Sequence, residues 1–269
     1  LSVSADEREI IGIPIPETDD PSVARLLSAF FGLDNKLPFR SNLLCLGASG
    51  QDGMPVVFSH TLNSETLNES DFEVETRLGE VYSPICVTLR PADDEGENRT
   101  VLLIGEFGNA ETDPPIRVSI VGDLHSDSED LKPLNFKGLY TDVIPLDSGP
   151  ALILAERVPR EVWSKERRGT MCPDSSIQVI RVTWTGGVRL PNGDELRETE
   201  RSLYRIEFEG ENDQSPSLEP DYLADLEDRD NNHFLCLDSE LPAISVSFPA
   251  GHLVDPNRDL NLDSFVPVL

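Results

Sequence analysis

From Met54 onward the chain is a succession of short β-branched and aromatic runs, each cut off within a few residues by Gly, Pro, Asn or Asp. That punctuation leaves no stretch long enough for a packed helix, whereas a strand needs only about five or six residues. It predicts strands over Pro55–Phe58, Phe72–Thr76, Ile85–Leu89, Thr100–Gly105, Ile116–Val121, Ala151–Glu156, Gln178–Thr183, Ser202–Phe208 and Ala243–Phe248. Apolar residues fall at every second position in Tyr204-Arg205-Ile206-Glu207-Phe208 and at Ile244, Val246 and Phe248, so one face of each strand is buried and the other wet. The expected fold class is all-β: a β-sandwich over residues 46–269 with long irregular loops, preceded by an amino-terminal segment over 1–45. The spacing predicts one short helix in that segment, over 21–31. Asp20 caps it, Pro21 opens it, Val23, Leu26, Leu27, Phe30 and Phe31 line one face, and Gly32 stops it.

Within residues 55–103, Phe58-Ser59, Asp71-Phe72-Glu73-Val74, Gly79 and Leu89-Arg90-Pro91 follow one another as a strand ending in Phe-Ser, a D-F-x-V strand, a Gly turn and a strand leading to x-L-x-P. In this order the segment resembles a bacterial immunoglobulin-like domain. The resemblance covers less than a fifth of the chain; it implies a sandwich and no activity.

At 269 residues with 38% apolar content the chain supports one large all-β domain or two modest ones. Its 22 basic and 50 acidic residues give a formal charge of −28. That charge repels the phosphates of nucleic acid and of anionic membranes, leaving a cationic or surface partner open. No run of eighteen apolar residues occurs, so no segment spans a bilayer and membrane insertion is not expected. The sequence starts at Leu1 rather than Met, as removal of a signal peptide would leave it, although a trimmed chain would look identical.

Cys45, Cys86, Cys172 and Cys236 form no C-x-x-C pair, which removes zinc-ribbon and thioredoxin-like readings. Four cysteines allow three connectivities, and four reduced thiols in a cytosolic protein are a further alternative. The expected pairing, Cys45–Cys86 and Cys172–Cys236, closes each part of the chain on itself. It suits a protein that is secreted, on the cell surface or periplasmic.

The clearest chemical signal lies between Asp255 and Asp263, where Asp255, Asn257, Asp259, Asn261 and Asp263 place an oxygen-bearing side chain at every second residue. A bent loop of this kind can turn several oxygens onto Ca²⁺, which takes six to eight of them. It resembles the opening of an EF-hand loop and the D-x-[DN]-x-D loops of thrombospondin type 3 repeats. The EF-hand likeness fails at Leu260, where the turn needs Gly, and at Val266, where it needs a bidentate Glu. A second cluster, Asp225, Glu227, Asp228, Asp230 and Asn232, repeats the alternation in a stretch where Glu207 to Glu240 holds twelve acids against one cation, Arg229. Without a counter-ion such carboxylates repel one another. The bland alternative for both clusters is a solvated acidic turn, since Asp and Asn bond readily to nearby backbone.

His233 borders the second cluster and His252 precedes the Asp255 loop, which leaves room for a Cu²⁺ or Zn²⁺ site. No H-E-x-x-H, G-x-S-x-G or phosphate-binding Gly loop is present. A hydrolase using dispersed carboxylates is the third reading. The sequence thus favours a Ca²⁺-binding extracytoplasmic protein with a binding or structural role over an enzyme, with a copper- or zinc-binding protein next.

Overall fold

The computed structural model of the chain describes residues 20, 22–94, 96–127, 132–163, 170–210, 216–226 and 229–269. The strands are β1 (Leu26–Phe30), β2 (Asp52–Phe58), β3 (Phe72–Thr76), β4 (Val81–Tyr82), β5 (Cys86–Thr88), β6 (Thr100–Gly105), β7 (Pro115–Ile120) and β8 (Tyr140–Ile144). They continue as β9 (Leu152–Arg157), β10 (Gln178–Trp184), β11 (Arg205–Phe208), β12 (Ser217–Leu218), β13 (Tyr222–Ala224), β14 (Asn232–Leu237), β15 (Ala243–Phe248) and β16 (Ser264–Pro267). The fold is all-β, as the punctuated sequence requires. The α-helix Arg160–Trp163 is a single turn.

The first eight strands make one sheet in the order β4-β3-β7-β8-β1-β2-β6-β5, antiparallel except for the parallel pair β1–β8. Three strands separate β2 from β3 in that order, yet the Phe58 and Phe72 rings meet edge to face at 6.5 Å. The sheet therefore curls over on itself, and Met54, Val56, Phe58, Val74, Val101, Leu103 and Val118 share one core inside the curl.

The remaining strands form two four-stranded sheets, β13-β14-β10-β9 and β12-β11-β15-β16, packed as a sandwich. Its core takes Ile180, Val182 and Trp184 from one sheet and Ile206, Phe208, Val246 and Phe248 from the other. Arg205 and Glu207 alternate outward, which matches the period-two reading of that strand.

The expected helix over 21–31 is replaced by β1, which lies between β8 and β2 in the middle of the curled sheet. Ser28, Ala29 and Phe30 are all buried, so both faces of the strand are covered and no period-two signal survives. Leu26–Phe30 therefore belongs to the curled sheet. Phe58, Phe72 to Val74 and Gly79, which carry the immunoglobulin-like resemblance, fall on β2, β3 and the turn after β3; Leu89 follows β5. Both expected disulfides are present, Cys45–Cys86 and Cys172–Cys236.

Candidate metal centre

Period two on the sheet β13-β14-β10-β9 decides what faces the curled sheet. Ile180, Val182 and Trp184 point into the sandwich, so Val179, Arg181 and Thr183 point out; Asn232, Phe234 and Cys236 do the same on β14. Arg181 is paired directly opposite Glu156 of β9. Onto this outward face the first part of the chain lays the segment just before β6, carrying Glu97 and Arg99.

The Glu156 carboxylate accepts from Arg181 Nε at 2.9 Å and from a terminal Arg181 nitrogen at 2.6 Å, while Arg99 reaches its other oxygen at 3.1 Å. Burial opposes ionisation of Glu156, but Arg181 and Arg99 together outweigh it and hold the carboxyl below its ordinary range. Burial likewise works against the Arg181 charge; Glu156, Glu97 and Asp225 more than offset it and raise that pKa. Gly96, at φ +83°, lets the loop close over this guanidinium, because a Cβ there would lie 3.1 Å from an Arg181 nitrogen.

Beside Arg181 lie Glu97, Asp225 and Asp230, all buried, each offering a carboxylate oxygen within 4.8 Å of the others. Asp225 follows β13 and Asp230 precedes β14, and the segment joining them holds two non-glycine residues in the left-handed region, Asp225 at φ +61° and Arg229 at φ +70°. The Asp225 backbone is tied by its N–H to the Thr170 carbonyl at 2.7 Å. Asp230 accepts the Asn232 N–H at 2.7 Å. Among the described residues this group is the one place where three potential His, Cys, Asp or Glu ligands converge.

Asp225 and Asp230 come from the second acidic cluster of the sequence, with Asn232 supporting Asp230; Glu227 and Asp228 lie outside the described residues. Glu97, supplied from a distant segment, carries no signal beyond an acidic loop with a Gly.

In the Asp255 loop most side-chain oxygens bond to protein groups, while Asp255 Oδ2 is buried without a hydrogen-bond partner. Asp255 Oδ1 accepts the Asp259 N–H at 2.8 Å, and Asn261 Oδ1 accepts the N–H groups of His252 and Leu253 at 2.8 Å each. Asp263 accepts the Ala250 N–H at 3.1 Å, Asn257 accepts from Lys36 at 2.9 Å, and Asp259 accepts from the Asn257 amide at 2.7 Å. Burial raises the Asp255 carboxyl to about 6. These are the local side-chain bonds by which Asp and Asn stabilise a tight turn.

His233 is buried on the sandwich side of β14, with Nδ1 2.7 Å from the Tyr204 hydroxyl, whose oxygen also takes the Trp184 N–H at 3.2 Å. An indole N–H can only donate, so the arrangement that uses every hydrogen has Tyr204 donating to Nδ1 and leaves the proton on Nε2. Burial lowers the His233 pKa to about 4, keeping the ring neutral. In this tautomer neither ring nitrogen has a lone pair free for Cu²⁺ or Zn²⁺. His252 is exposed and packs edge-on against Phe248. The sequence matches no known family model and no curated protein.

Proposed function

We propose that this protein binds Ca²⁺ between Glu97, Asp225 and Asp230 and uses the ion as a structural tie between its curled sheet and its sandwich. The observation that carries this reading is the convergence of three buried carboxylates from the two parts of the chain. Ca²⁺–oxygen distances of about 2.3–2.6 Å allow oxygens on opposite sides of one ion to stand nearly 5 Å apart. An all-oxygen, anionic site suits a hard divalent cation over copper or zinc. The disulfides indicate an oxidising, extracytoplasmic setting, and in secreted, surface or periplasmic surroundings calcium modules of modest affinity are filled.

Calorimetric titration of chelator-treated protein with Ca²⁺ tests the reading. One site is expected, lost in Glu97→Gln and in Asp225→Asn and kept in Asp259→Ala. Saturation at a hundred times the dissociation constant stabilises the fold by about 2.7 kcal/mol, so the melting temperature rises with Ca²⁺. Loss of binding in Asp259→Ala alone moves the ion to the Asp255 loop. Absence of any binding refutes the reading.

A further inference from the structure

The outward face of β1, β2 and β6 presents Phe30, Pro55 and Leu102 to the sandwich, but the two parts do not meet flush. Gly186 and Gly187 stand where β10 runs out, and Gly53 stands opposite on β2. A Cβ at Gly186 would lie 3.1 Å from Phe30 and 3.2 Å from Pro55, so the parts approach closely there, while beside Gly187 they leave a cavity of about 180 Å³. Its walls are chiefly apolar, from Phe30, Leu33, Leu37, Pro55, Ala92 and Leu102. Two arginines, Arg90 and Arg229, also line it, with side chains 65% and 64% exposed. In a chain with 50 acids and 22 bases, the described residues of this wall include two cations and one acid, Asp230, whose carboxylate accepts the Asn232 N–H and joins the candidate metal centre.

We infer that this cavity is a binding site for a small apolar molecule bearing one carboxylate, its ring or branched chain inside and its anionic end against Arg90 and Arg229. The size fits, since a dry cavity of about 150 Å³ admits benzene. The arginines have surface partners, Asp93 at 3.1 Å and Glu195 at 3.4 Å. Such exposed pairs contribute little, so a guanidinium can exchange its partner for a ligand carboxylate at small cost. The inference rests on the cavity walls and is independent of whether an ion occupies the neighbouring site.

Ligand-observed NMR with benzoate, benzyl alcohol and benzylamine as probes tests it. Saturable binding is expected for benzoate, weaker for benzyl alcohol and weakest for benzylamine. The double variant Arg90→Met with Arg229→Met should weaken benzoate about tenfold and benzyl alcohol less than about twofold. Ala92→Leu, which fills the cavity from a buried wall position, should abolish binding of both; if its melting curve shows it unfolded, Leu33→Phe serves from the opposite side. No saturable binding of benzoate, equal binding of benzylamine, an arginine double variant that binds benzoate as wild type, or a folded filling variant that still binds would each overturn the inference.

Discussion

Replacing Glu156 by Gln keeps the shape of the side chain and removes its charge. Both guanidiniums, of Arg181 and Arg99, then lose their ion-pair partner while staying out of water, with side chains only 6% and 7% exposed, and keep only the more distant Glu97 and, for Arg181, Asp225. The three charged contacts at 2.6, 2.9 and 3.1 Å weaken together. Removing one member of such a buried group costs about 3–5 kcal/mol, chiefly because the surviving charges stay out of water. That is about a fifth or more of the roughly 5–15 kcal/mol that holds a typical domain together. For a fold of this size, about 2–4 °C per kcal/mol converts it to a melting temperature lower by about 10 °C. Equilibrium denaturation and calorimetry measure both quantities. A double-mutant cycle adds a check: Arg99→Met combined with Glu156→Gln should cost less than the two separately, with a coupling of about 1–3 kcal/mol. If Glu156→Gln lies within about 1 kcal/mol of wild type and the cycle is additive, the charge group is not a clamp and the argument fails.

Acidity gives a second test. Asp52 accepts the N–H groups of Asn35 and Phe107 at 2.7 Å each, yet burial raises its carboxyl to about 6, as it does for Asp255. A raised carboxyl takes up its proton in the fold before the unfolded chain does, so each adds stability, about 1–2 kcal/mol, as pH falls from 7 to 5. His233, lowered to about 4, acts in the opposite sense between pH 6.5 and 4. Urea denaturation at pH 7 and 5 should therefore show a net gain on acidification that shrinks in Asp255→Asn; an unchanged pH response in that variant refutes the assignment. The disulfides predict no reactive thiols in the unreduced, denatured protein. The Cys172–Cys236 bridge spans 64 residues, and removing it as Cys172→Ala with Cys236→Ala should cost about 4 kcal/mol by loop closure. A loss under about 1 kcal/mol would show that the unfolded chain is not constrained by it.

Short strands bounded by turn residues were legible in the sequence. Phe72–Thr76, Thr100–Gly105 and Ala243–Phe248 are bounded in the structure as their composition predicts. β1 was not, since Leu26, Leu27, Phe30 and Phe31 serve a helix face as well as a strand covered on both sides, and its partner β8 is far along the chain. β14 was hidden by the acids before it, which read as loop although Asn232 to Leu237 are all buried. At the candidate centre, Asp225 and Asp230 were visible as an alternation. Glu97 was not, because its relation to them is made only when the curled sheet docks on the sandwich. The Asp255 alternation, the strongest pattern in the sequence, proved to be bonded largely within its own turn.

The parallel pairing of β1 with β8 sets an order of assembly. β1 keeps one unpaired edge until Tyr140–Ile144 is available, so the curled sheet cannot close early in a chain emerging from its amino terminus. It can close before β9 begins. At that moment Arg99 has Glu97 near it but not its ion-pair partner, since Glu156 lies further along. Completion of the sandwich supplies that partner, so the last buried charge pair between the two parts forms only when both are folded.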